Sequence, residues 1–271
     1  MRQVQTISRE VVRRKRIDPS ETTRRTSLMS KDLAILLGLL FTDGSVSRTG
    51  VNGYRIYFAV KSEVLAEIFT NCIAREFNLP SIRILKGFTD DSLHQRVVNS
   101  KDIGSYLTGI YGTFRTLRFA DGKMPDTKIP VGKLIKSQNV QPFLQAAFCC
   151  DGGISFYPAS RIGSRGGTKW LIRTVFLSCT HPNLRKDYMI LLSSLGIKAR
   201  EVPKDGKIKI EDEVNIRKFH QKIGFFPGVE VTNQSKYWRG FTKEKVLEVL
   251  IDSYGQPSKI YNLSKFQEMK I

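Results

Sequence analysis

The sequence predicts an α+β protein in which one α-β-β-α-β-β-α unit is used twice. Three observations predict it. Apolar residues recur at helical and then strand spacings, in the same order, in two stretches of the chain. The first helix of each stretch closes on the same dipeptide, Asp43-Gly44 and Asp151-Gly152. Landmarks downstream of those two acids recur at related distances.

The chain opens with a basic leader over residues 1–31, in which Arg13, Arg14, Lys15 and Arg16 stand together ahead of Arg24 and Arg25. Val4, Ile7, Val11 and Val12 suggest a short helix there. Such a run is either a solvated tail or an arm on phosphates, and its Arg- and Ser-rich character also resembles an organellar transit peptide. The first half, 32–138, then reads as a helix over 32–42, strands over 45–49 and 53–60, and a helix over 63–77. Strands over 81–87 and 93–99 and a helix over 102–111 complete it. The second half, 139–238, reads as a helix over 141–150, strands over 153–159 and 169–178, and a helix over 183–195. Strands over 198–203 and 207–211 and a helix over 214–223 follow. Residues 239–271 add a helix over 243–253 and a polar tail.

Spacing supports the duplication. The second helix of each half ends at Asn78-Leu79 and at Gly196-Ile197, 35 and 45 residues past the acids (43 to 78, 151 to 196). The extra ten fit a longer hairpin holding Arg161, Arg165, Gly166 and Gly167. Lys128 and Lys236 each lie 85 residues past their acid (43 to 128, 151 to 236).

Composition narrows the function. Of 271 residues, 41% are hydrophobic and 10% aromatic, enough for a sizeable core. Lys and Arg number 44 against 25 Asp and Glu, a formal charge of +19. A protein this basic is expected to meet a polyanion, because neutralising phosphates releases condensed counterions. The longest apolar run, Leu33 to Phe41, is nine residues, against about 20 for a membrane span. Neither a basic amphipathic helix nor a lipidation motif is visible, so nucleic acid is favoured over membrane. Cys72, Cys149, Cys150 and Cys179 form no C-x-x-C, and His94, His181 and His220 stand singly. Reduced, mostly buried thiols in an intracellular protein are expected, in a prokaryotic cytoplasm or nucleoid, with an organelle as the alternative.

The chemistry gathers at the two Asp-Gly helices, Leu36-Leu37-Gly38-Leu39-Leu40-Phe41-Thr42-Asp43-Gly44 and Leu144-Gln145-Ala146-Ala147-Phe148-Cys149-Cys150-Asp151-Gly152. Small residues lie four apart in each, Gly38 with Thr42 and Ala146 with Cys150, which gives each helix a seam along which two backbones can approach. A carboxylate at a helix C-terminus faces the negative end of the macrodipole. Two such carboxylates brought together also repel. A divalent cation between them removes both objections, and hard oxygen ligands point to Mg²⁺ (or Mn²⁺) over zinc.

These segments resemble the two LAGLIDADG motifs of homing endonucleases, and the similarity covers about residues 30–240. Motif one is close to the pattern; motif two departs from it at Gln145, Ala147 and Cys149. The resemblance implies a single-chain, pseudo-dimeric enzyme whose motif helices form the interface between the halves. It implies two antiparallel sheets forming a saddle on the DNA major groove. It also implies a monomer that makes metal-dependent double-strand cuts with short 3′ overhangs in a long asymmetric site. Asp43 and Asp151 would hold the metals, with the carbonyls of Thr42 and Cys150 as further ligands. Lys61 resembles a family active-site lysine, and Lys128 and Lys236 are the symmetric candidates. The place of Lys61 in the second half falls near Cys179 or Thr180, which makes the halves unequal. DNA contacts are expected from Arg48, Arg55, Tyr57, Arg83, Lys86 and Arg96 in the first half. In the second they are expected from Arg161, Arg165, Lys169, Arg173, Arg200, Lys204, Lys207 and Lys209. The alternatives are an RNA-splicing maturase bound to intron RNA and an inactive DNA-binding regulator; both retained acids favour the enzyme. The chain's ends carry no protein-splicing residues, so a free-standing enzyme is expected.

Overall fold

A computed structural model describes residues 28–51, 53–160, 169–231 and 235–255. The helix suggested near Val4 to Val12, the side chains of Arg161, Arg165 and Lys169, and the tail beyond 255 lie outside the described residues.

Helix starts follow the caps written in the sequence. Ser30 accepts from the Leu33 amide and opens α1 (Lys31–Leu40). Ser62 opens α2 (Glu63–Glu76) and Ser100 opens α3 (Lys101–Tyr111) by the same bond to the amide three residues on. The strands between them, β1 (Gly44–Thr49), β2 (Gly53–Val60), β3 (Leu85–Phe88) and β4 (His94–Asn99), form one antiparallel sheet in the order β1-β2-β4-β3. A short helix, α4 (Val131–Lys136), leads into α5 (Val140–Cys150). The pattern then repeats. Strands β5 (Gly152–Ser160), β6 (Lys169–Ser178), β7 (Arg200–Val202) and β8 (Lys207–Ile210) pair in the corresponding order β5-β6-β8-β7. Helix α6 (Pro182–Ser194) is capped by the His181 ring, α7 (Glu213–Lys222) by Asp212 and α8 (Lys243–Asp252) by Thr242.

Helices α1 and α5 pack against each other at the centre. Every residue of α1 from Leu33 to Leu40 is buried, as expected of a helix apolar on all sides. Buried residues of both halves join in one continuous core, with Phe41 against Phe114 (4.7 Å between centroids), Phe58 stacked on Phe69 (5.0 Å) and Phe148 against Phe219 (4.8 Å).

Three local differences from the sequence reading have physical causes. The strand expected over 81–87 begins only at Leu85, because Pro80 is followed by a 3-10 turn over Ser81–Arg83. The strand expected over 198–203 shrinks to Arg200–Val202, since Pro203, which lacks an N–H for the ladder, opens another 3-10 turn. Helix α4 was not expected; at six residues, with Gly132 inside it, it is too short to show a periodicity.

Candidate metal and nucleic-acid site

The site begins where α1 and α5 touch. A Cβ on Gly38 would lie 2.5 Å from the Phe143 carbonyl oxygen and 2.8 Å from the Ala146 Cβ. No larger residue fits, so the small-residue seam is what sets the helix spacing. Both helices then end on their acid. The Thr42 hydroxyl turns back to donate to Gly38 O (2.9 Å) and Leu39 O (3.0 Å), and the Asp151 amide closes α5 on Ala147 O (3.0 Å). The glycine after each acid lies against the helix just ended, Gly44 on Leu40 and Gly152 on Phe148, which tightens the turn into the first strand. The second strand side of each sheet pins the acid's own carbonyl: Asp43 O accepts from Ala59 N (3.5 Å) and Asp151 O from Ser178 N (3.0 Å). This pairing sets Lys61, two residues past Ala59, opposite Thr180, two past Ser178. Ser62 and His181, the caps of α2 and α6, then coincide.

Both carboxyls keep some exposure yet are closely walled by protein. Burial pushes the proton affinity of Asp43 up, against a hydrogen bond from the Cys150 thiol and the charge of Lys243. Burial also pushes Asp151 up, helped by the charge of Asp43 and opposed by Lys243. The Cys150 thiol is itself held protonated by burial and by Asp43, so it is a donor to that carboxylate. The small residue of motif two thus serves the acid of motif one.

Lys243 was missed in the sequence. It is nearly buried, and its Nζ donates to Cys149 O (2.6 Å) and Gly152 O (2.7 Å), with Phe148 O at 3.5 Å. Burial pulls its proton affinity down; the thiols and both acids of the site push the other way. The sole signal was its position, since a lysine at the first residue of a helix stands at the unfavourable end of the dipole.

The three lysines expected at the site are less enclosed. Lys61, Lys128 and Lys236 are exposed; Lys128 pairs with Asp126 (3.0 Å) and Lys236 lies over the Tyr237 ring (5.7 Å). The equal spacing of Lys128 and Lys236 is not structural equivalence. Helix α3 starts 58 residues past Asp43 (43 to 101) and α7 starts 62 past Asp151 (151 to 213), so the second repeat runs four residues longer by that point.

Strand register sorts the expected DNA contacts by face, because directly paired residues share one. In the first sheet Ile56 pairs with Val98 and Phe58 with Arg96, on the helix side. Arg96 is buried there, donating to Glu67 (2.6 Å) and Thr70 (3.1 Å). Lys86 pairs with Arg96 in register and binds Glu67 (2.9 Å), while Arg48, across from Tyr54, donates to its hydroxyl (3.1 Å). In the second sheet Arg173 pairs with buried Phe156 and donates to Ser253 Oγ (2.7 Å) and O (2.9 Å), fastening the end of α8. Arg96 and Arg173 are thus structural, a correction to their expected role, and Arg48 and Lys86 share the same inward side. The open face of the first sheet carries Arg55, lying over the Tyr57 ring (5.2 Å), with Thr49, Gln95 and Asn99. That of the second carries Arg200, Lys207 and Lys209, with Lys207 over Phe176 (4.7 Å). Arg83 and Lys204 are exposed in the two 3-10 turns.

Among the described residues no group of three or more His, Cys, Asp or Glu is placed to hold a metal ion. The two acids offer carboxylate oxygens, and the sequence reading expects the carbonyls of Thr42 and Cys150 as further ligands. Such an all-oxygen, incomplete shell fits Mg²⁺ or Mn²⁺, which keep waters and take oxygens from a phosphate, and does not fit a structural zinc site. No described helix is long and apolar enough to cross a membrane.

No family model and no curated protein matches the chain. Solved structures do. A mesophilic variant of the homing endonuclease I-DmoI is 16% identical, covering 71% of this chain and 95% of its own, with a TM-score of 0.46. The homing endonuclease I-WcaI bound to its DNA recognition sequence is 13% identical over 83% and 92%, at 0.41. The meganuclease I-SmaMI bound to uncleavable DNA is 11% identical over 73% and 84%, at 0.42. The solved structures that this chain resembles are homing endonucleases. At such identities and scores the functional reading rests on the site, not on these likenesses.

Proposed function

We propose that the chain is a site-specific endodeoxyribonuclease of the homing type. It uses Mg²⁺ or Mn²⁺ to hydrolyse both strands of a long asymmetric duplex site, acting as a monomer and leaving short 3′ overhangs. One observation carries the reading. Two helices in backbone contact at Gly38 end on Asp43 and Asp151, near enough that the charge of one raises the proton affinity of the other, and each leads straight into a sheet. A buried pair of like charges is costly in the free protein. It is suited to an anionic substrate only with a cation between them.

When bound, a divalent cation polarises the phosphoryl oxygen and lowers the pKa of an attacking water. Asp43 and Asp151 would hold it between them, and the close contact at Gly38 brings the two helices that carry them together. The Cys150 thiol orients the Asp43 carboxylate, and Lys243 fixes the turn that presents Asp151. Arg55, Arg200, Lys207 and Lys209 on the open faces bind phosphates and base edges.

Cleavage of a plasmid library with Mg²⁺, run beside Asp43→Asn and Asp151→Asn and with the ends sequenced, tests this. Wild type is expected to give discrete double-strand cuts. Each variant is expected to lose them by about three orders of magnitude, the size of a lost several-kcal/mol metal term, while keeping most DNA binding. Undiminished cutting by either variant overturns the metal-ligand assignment. Binding to DNA or intron RNA by wild type, without cuts, favours the regulator or the maturase.

A further inference from the structure

Lys243 is the first residue of α8, and only 6% of it is exposed. Its ammonium gains nothing from its own helix, whose positive end it occupies. The carbonyls it gathers are those of Cys149 and Gly152, which bracket Asp151 in the chain, and more distantly that of Phe148. The Phe225 ring lies beneath it, 5.7 Å from Nζ to centroid. A buried ammonium is held by dipoles or by charge. Here both are present, because its field reaches Asp43 and Asp151 alike.

We propose that Lys243 is a positioning residue acting as the site's resident counter-cation. It pins the Asp151 turn through Cys149 and Gly152 and neutralises part of the acid pair's charge from within the protein, so that the two acids stand close before a divalent ion arrives. The proposal deepens the nuclease reading and rests on it for the identity of the metal-holding acids. It implies that Lys243 and a divalent ion relieve the same repulsion.

The test is thermal unfolding of the full chain, wild type beside Lys243→Met, Asp151→Asn and the double variant, in EDTA and in MnCl₂. Lys243→Met is expected to lower Tm by about 5 °C or more in EDTA. Adding Asp151→Asn is expected to recover about half of that loss, since contacting groups couple. MnCl₂ is expected to raise Tm more in Lys243→Met than in wild type. Additive losses with equal Mn²⁺ shifts overturn the proposal and leave Lys243 a carbonyl cap alone. If Lys243→Met does not fold, the double variant decides. Recovery of a folded double variant supports the proposal, and its failure to fold beside folded Lys243→Arg and Asp151→Asn overturns it. None of these measurements needs DNA. A chain that cuts nothing yet shows the coupling refutes the nuclease and keeps the role of Lys243; one that cuts while the losses add does the reverse.

Discussion

In the first half of the molecule the acid at the helix end is influenced from the other half, the Cys150 thiol drawing the proton affinity of Asp43 down against its burial. In the second half the acid is served from the C-terminal helix that follows it: a buried ammonium, Lys243, gathers the carbonyls on either side of Asp151. The strands repeat in one order and the helices in one sequence, yet the charges do not repeat. Backbone symmetry here is a property of the apolar pattern, which tolerates substitution so long as volume and spacing hold. Charge placement is not carried by that pattern and has diverged. An enzyme with this site is expected to treat its two strands unequally.

The seam shows the same inequality in its sharpest form. Gly38 has no room for a Cβ, whereas Ala146 across from it supplies one. Gly38→Ala is expected to force α1 and α5 apart and cost about 3 kcal/mol or more, by overpacking against backbone. Ala146→Gly only loosens the contact and costs about 1 kcal/mol in helix propensity, plus a small cavity. Urea denaturation of the two variants reads the difference; equal losses would mean that the helices are free to slide.

The two faces of each sheet can be separated next. Arg173→Met breaks the bonds to Ser253 and is expected to cost about 2 kcal/mol of stability with little effect on the salt dependence of DNA binding. Lys209→Ala, on the open face, is expected to do the opposite and to lower the slope of log K against log salt by about 1. A salt slope that falls for Arg173→Met would return that residue to the DNA surface.

How far these roles were legible in the sequence follows the range of the interaction that sets them. Helices α1 and α5 and their acids were legible because apolar period and Asp-Gly closure are local, with the Ser30 cap as a further local sign for α1 alone. Arg173 was legible in principle: Leu171, Arg173, Val175 and Leu177 alternate onto one side, and three of the four are apolar. Arg96 was not, because its side is fixed by lying opposite Phe58, a pairing 38 residues away (58 to 96) that no local pattern announces. Lys243 lies 92 residues past Asp151 (151 to 243) and reaches it only through the tertiary fold.

The acids also divide the molecule by pH. Asp32, held by Arg75, and Glu67, held by Lys86 and Arg96, have lowered proton affinity. Their stabilisation is present above the ordinary carboxylate range, about pH 4, and is lost as pH falls below it. Asp43 and Asp151 are raised, so the folded state binds protons that the unfolded state releases. Their contribution is present at about pH 4 and is lost as pH rises toward neutrality. In EDTA, wild-type Tm is therefore expected to rise as pH is lowered from neutrality toward about 5, while Asp151→Asn gives a flatter profile and a higher Tm at neutral pH. A wild-type profile as flat as that of the variant would show that the pair carries no strain before the ion binds.

The smallest expected effect concerns one hydroxyl. Counting from the caps Ser62 and His181, Phe69 in α2 and Tyr188 in α6 occupy the same place, and both are fully buried. Phe69 stacks on Phe58 and Tyr188 on Phe143. The ring is the shared requirement; the hydroxyl of Tyr188 finds no hydrogen-bond partner among the described residues. An unpaired buried hydroxyl costs about 1 kcal/mol or more, so Tyr188→Phe is expected to be neutral or to stabilise by about that amount. Phe69→Tyr is expected to destabilise by about 1–3 kcal/mol, as an added unpaired hydroxyl does. If Tyr188→Phe instead costs as much as a normal hydrogen bond, the hydroxyl is satisfied in solution. The second half would then hold a polar group beside Asp151 that the first half lacks, and the inequality of the two halves would extend one layer deeper than Lys243.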